Sequence, residues 1–165
     1  MEITKVKYWS KVVQQESVDH VKIEYSDNGR DVTVHEYGNN SQAAPEFYKA
    51  MNDFSASVAA VCNLPDEVIV KIAVREVSIH ISEDKEGEDN TYYVIVASLK
   101  AGTSSVTLKV EVQHKYIPEG FADAIADIIT EAEEYVGGKR AQVALDLPTT
   151  PESSDVENEE DEQNE

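Results

Sequence analysis

Cys62 is the only cysteine in the chain, which excludes an intramolecular disulfide and a cluster of thiolate metal ligands and makes a reducing cytosol the natural compartment. Glycine is sparse too. The seven glycines cannot be arranged into GxGxxG or a P-loop, and no Gly-x-Ser-x-Gly elbow occurs. His20, His35, His80 and His114 are scattered, with no HExxH and no closely spaced pair; the last two are expected on strands of one sheet, and all four read as ordinary sheet-face or surface side chains. No apolar run approaches the roughly 18 residues that cross a bilayer. Met1-Glu2-Ile3-Thr4-Lys5 lacks the apolar core of a secretory signal. These absences lead to a soluble, cytoplasmic, non-enzymatic protein with no catalytic, cofactor-binding or metal-binding residues.

Positive charge is also scarce. Fourteen Lys and Arg face 33 Asp and Glu, for a net charge of -19. Nucleic acids and anionic lipids are bound largely through Lys and Arg, so direct nucleic-acid binding is disfavoured and no membrane contact is expected. Eight of the acids lie in the last 14 residues, from Glu152 to Glu165, and no base accompanies them. That run and Pro148 and Pro151 read as a disordered acidic tail over 141–165, leaving 1–140 as one α+β domain.

Within the domain, residues 3–13 are rich in Ile, Val, Tyr and Trp, and Val21, Ile23 and Tyr25 then alternate with Lys22 and Glu24 as in a half-buried strand. Asn28-Gly29 then predicts a type I′ hairpin into 30–37. Pro45 opens a helix whose apolar face runs Phe47, Ala50, Met51, Phe54, Val58 and Val61. A strand is expected from Val68 through Val74 to Ile81, its phase slipping at Arg75-Glu76 as at a β-bulge. An acidic loop, 83–90, leads to a strand at 92–100. Ala101-Gly102 turns into the alternation of Val106, Leu108, Val110 and Val112, and Pro118 opens a second helix that ends at Gly137-Gly138. The order is βββα twice, in halves 3–63 and 67–138. The expected architecture is an antiparallel sheet of about six strands with two helices on one face.

Two features carry candidate chemistry. Asp123, Asp127, Glu131 and Glu134 form an acidic stripe on the second helix, which reads as a solvated face or as a docking surface for a basic partner, in the manner of a DNA mimic. The loop acids from Glu83 to Asp89 do not follow EF-hand spacing. The more specific feature is Gln142-Val143-Ala144-Leu145-Asp146-Leu147. It resembles the bacterial sliding-clamp-binding peptide, with Gln142 at the anchoring position and Leu145 and Leu147 at the pocket positions. Val143 stands where leucine is usual, and Leu147 where many such peptides have phenylalanine.

Three stretches together are similar to a group of small, uncharacterised proteins of bacteriophage and prophage genomes. They are Ala50-Met51 through Val61-Cys62-Asn63-Leu64-Pro65, the following strand to Val77-Ser78-Ile79, and Glu134-Tyr135-Val136-Gly137-Gly138-Lys139-Arg140-Ala141-Gln142. The resemblance spans roughly 20–145 and implies a phage origin near replication or recombination genes, in the host cytoplasm, with no assigned activity. The leading expectation is an accessory or inhibitory protein that binds another protein, such as the sliding clamp. The alternatives are an acidic decoy for a host defence or regulatory protein, and a sequestering pocket for a small molecule built on several of Lys71, Arg75, Lys100 and Lys109. The oligomeric state is not legible in the sequence.

Overall fold

The computed structural model describes residues 1–83 and 89–141. Among them, six strands form one antiparallel sheet: β1 (Glu2–Val13), β2 (Glu16–Asp27), β3 (Arg30–Tyr37), β4 (Ile72–Glu83), β5 (Asp89–Ala101) and β6 (Ser104–Gln113). Their spatial order is β3-β2-β1-β4-β5-β6. Each half is thus a three-stranded meander, and the first strands of the two meanders meet at the centre. The helices are α1 (Pro45–Asp53), α2 (Ser55–Val61) and α3 (Phe121–Val136).

Turn chemistry sets the register of each meander. Asn28 and Gly29 take φ of 51° and 76°, the paired positive values of a type I′ turn, and they close Asp27 on Arg30. The β1–β2 turn uses Gln14 and Gln15 at φ 49° and 70°. This is the same left-handed geometry, without the Gly or Asn that normally relieves it. The phase slip at Arg75-Glu76 is a bulge, because Val74 pairs with Ala97 and Glu76 with Val96. A second register shift lies in β1 between Ile3 and Lys5.

Several expected boundaries move. Val68 and Val70 fit a strand period, yet Asp66–Lys71 forms a 3₁₀ turn and β4 starts only at Ile72. Pro65 leads into that turn, its carbonyl accepting from the Val68 N–H at 3.1 Å, and Val70 is left 89% exposed. The first helix is divided at Phe54, whose ψ is -13°. There the buried Phe54 ring packs edge-to-face on Phe121 at 5.0 Å, and the Ser55 hydroxyl donates to the Ile72 carbonyl at 3.0 Å. Both contacts hold this turn against the core. Pro118 precedes α3 without opening it, because Gly120 takes φ 77° as the N-cap and helical geometry starts at Phe121. The strict βββα repeat is therefore interrupted by a split helix and short 3₁₀ turns. The strands on either side of the acidic loop reach Glu83 and Asp89, and residues 84–88 lie outside the described segments.

All three helices contribute to one core. Phe47, Met51, Phe54, Val58, Phe121, Ile125, Ile128 and Tyr135 pack with Val6, Val21, Ile23, Val74, Val77 and Ile95, and α1 lies against α3 and β4. Because strand side chains alternate, the neighbours of these inward residues point to the opposite face. That face carries an ion-pair cluster at the centre of the sheet. Glu76 of β4 receives Lys5 at 2.7 Å and Lys7 at 3.1 Å from β1.

Partial burial pushes the Glu76 carboxyl up, but the two lysines outweigh it and hold the group below its ordinary value of 4.5. Its stabilising contribution is therefore complete above that value and is lost as acidification passes through the lowered one. Glu76→Gln should cost about 1–2 kcal/mol at neutral pH and flatten the acid limb of a urea-denaturation series. The strained β1–β2 turn gives the opposite expectation. Replacing Gln14-Gln15 by Asn-Gly should raise the denaturation midpoint by about 1 kcal/mol of stability.

Candidate functional site

The C-terminal end of α3 is fixed by a Schellman motif. Gly138 takes φ 103°, the Lys139 N–H bonds back to the Glu134 carbonyl at 2.9 Å, and the Gly138 N–H bonds to that of Tyr135 at 3.0 Å. The chain is then tied to the first meander. Arg140 lies over the Tyr135 ring at 3.7 Å, donates to the Tyr135 carbonyl, and pairs with Glu36 of β3 at 2.7 Å. The Tyr135 hydroxyl donates to the same Glu36 carboxylate at 2.9 Å. Burial and that bond push the hydroxyl well above its usual range, against an opposing effect from Arg140. The Ala141 N–H finally bonds to the Gln42 carbonyl at 3.0 Å. Gln142, Leu145 and Leu147 follow this anchor in sequence and lie outside the described residues.

The acidic stripe is on α3 as expected, but it is not uniformly negative. Asp123 and Asp127 are exposed, and Asp127 lies within electrostatic reach of Lys49. Lys139 folds back onto Glu134 and sits 3.2 Å from Glu131 and 3.9 Å from Glu46. Lys139 therefore offsets one of the negative charges at the end of the stripe nearest the exit.

A second candidate region is the sheet face turned away from the helices. Trp9 stands opposite His20, their rings stacked at 4.8 Å and 6°. His35 lies beside them, its Nε2 3.3 Å from His20 Nδ1, and Lys7 sits over Trp9 at 5.2 Å. The second meander repeats the motif. His80 and Tyr92 are opposite each other and stack at 4.7 Å and 9°. Val6 pairs with Val77 at the centre of the sheet; Trp9 is the third residue after Val6 and His80 the third after Val77, so the stacked pairs occupy equivalent places. Strand geometry separates them by roughly 20 Å. An open groove of about 1120 Å³ crosses this face at the end that carries His80 and Tyr92, and its lining also includes Glu24, Glu76 and Glu111.

The expected grouping of histidines is corrected by this geometry. His80 faces the open side of β4, whereas His114 follows β6 and bonds to the hydroxyl of the core residue Tyr93 at 2.9 Å. The close pair is instead His20 and His35. Nothing in the spacing of 15 residues announces it, since the contact depends on the β2–β3 register. Of the four cations expected around a pocket, the groove includes Lys109. Arg75 instead lies over Tyr8 at 5.1 Å. Burial pushes the Cys62 thiol up, which opposes formation of a reactive thiolate. Among the described residues, no group of three or more His, Cys, Asp or Glu is placed to hold a metal ion, and no helix is long and apolar enough to cross a membrane.

Comparison with family models, curated proteins and solved structures finds no match for the chain.

The exit anchor makes a measurable contribution of its own. Tyr135→Phe keeps the buried ring and removes one hydroxyl donor, so a loss of about 1 kcal/mol in equilibrium unfolding is expected.

Proposed function

We propose that the chain is a phage-encoded, non-enzymatic accessory or inhibitory protein that binds another protein through residues 142–147, with the bacterial sliding clamp as the partner. The observation that carries this reading is the fixed departure point after α3. A peptide that starts immediately beyond a rigid base loses less conformational freedom on binding than one tethered by a long loose linker. The Schellman turn, the Arg140–Glu36 pair and the Ala141–Gln42 bond supply such a base. Gln142 is the next residue, and alternate apolar side chains at Leu145 and Leu147 suit recognition in a groove.

The acidic-decoy reading has less support, because Lys139 covers the end of the stripe formed by Glu131 and Glu134. The two readings separate by salt dependence and by the part of the chain they require.

Calorimetric titration of the full chain into purified bacterial clamp tests the proposal. Saturable binding is expected, with Gln142→Ala, Leu145→Ala and Leu147→Ala each weakening it roughly ten- to a hundredfold. Absence of binding, or binding indifferent to all three changes, overturns it. Affinity that survives those changes and falls steeply with salt supports the decoy instead.

A further inference from the structure

We infer that His20 and His35 form a two-histidine site for a transition-metal ion of the Zn²⁺, Ni²⁺ or Cu²⁺ class on the open face of the sheet. The two side chains come from adjacent strands. His20 is opposite Tyr37, and His35 is opposite Lys22, so they are diagonal neighbours on one face. The strand register brings His20 Nδ1 and His35 Nε2 to 3.3 Å.

That separation has a chemical meaning. Two imidazole nitrogens bound at about 2.0–2.1 Å to a tetrahedral zinc stand about 3.3–3.4 Å apart. As a hydrogen bond between neutral rings the same distance is long, since N–H donors usually approach their acceptors to about 2.9–3.0 Å. The rings are also supported from the side. Trp9 stacks on His20, and the Tyr37 ring lies 5.8 Å from that of His20.

The site is incomplete in an informative way. Among the described residues no third His, Cys, Asp or Glu joins the pair. His35 is exposed, so the remaining coordination positions open to solvent, where water or a donor from another molecule would complete them. Imidazole favours Cu²⁺ over Ni²⁺ and Zn²⁺ in the usual order of divalent affinities, and a chain of net charge -19 concentrates cations around it. Two ligands alone make a modest site.

Trp9 is the only tryptophan, and its contact with His20 makes its fluorescence a local reporter. The full chain is titrated with Cu²⁺ while Trp9 emission is followed, and with Zn²⁺ by calorimetry. The expected result is saturable quenching at one equivalent of Cu²⁺ and a matching Zn²⁺ isotherm. His20→Gln and His35→Gln should each weaken both by roughly tenfold or more, and His80→Gln should leave both unchanged. His35→Gln is the decisive variant, because it leaves the Trp9–His20 stack and every carboxylate in place, and its circular dichroism reports whether the fold is kept. The inference is overturned if no saturable step appears up to millimolar metal, or if quenching and heat persist at the same concentrations in both histidine variants.

Discussion

The pairing of β1 with β4 is the constraint on which the rest of the structure depends. It is short, joining Lys5, Val6 and Lys7 to Ser78, Val77 and Glu76, yet it turns two separate meanders into one sheet. On the helix side Val6 and Val77 are buried. On the other side Glu76 is held between Lys5 and Lys7. The joint therefore combines apolar burial on one face with charge pairing on the other. A one-residue slip would exchange the two faces and bury the charges. The nearby register shifts in β1 and β4 fall outside the paired segment, so the joint itself stays regular while the strands around it twist and bend.

From this joint the helix positions follow. α1, α2 and α3 all cover the face on which Val6 and Val77 lie, and their apolar side chains fill the space above it. Covering one face leaves the other bare, with charges in the middle and stacked rings toward two ends. The chain also returns from α3 to the first meander. Tyr135 and Arg140 converge on Glu36, so the last helix of the second half is tied to the outer strand of the first.

Much of this was legible wherever one residue determines local geometry. Asn28-Gly29 announced its hairpin because both residues tolerate positive φ, and the exchange of phase at Arg75-Glu76 announced its bulge because a strand has a strict period of two. Gly137-Gly138 announced the end of α3. The Gln14-Gln15 turn gave no such sign, since glutamine has no preference for the left-handed region it occupies. Val68 and Val70 misled for the converse reason: alternation over a few residues is compatible with a 3₁₀ turn following proline. The ring pairs were hidden for a different reason. Trp9, His20 and His35 come together only through the registers of two hairpins, one of them set by the unannounced turn.

The candidate regions differ in what the fold contributes to each. After α3 the fold contributes a fixed end: the last described residue is bonded to Gln42, and recognition would reside in the side chains that follow it. On the open face the fold contributes the arrangement itself, because residues far apart in sequence meet as stacked rings at equivalent places in the two meanders. The likeness ends at the third strand. Beside Tyr92 the second meander has Gln113, whereas beside His20 the first has Tyr37 with His35 close by. Two imidazoles within coordinating distance therefore arise in only one half. The common scaffold explains the stacked pairs, and the departure from symmetry gives one of them a chemistry the other lacks.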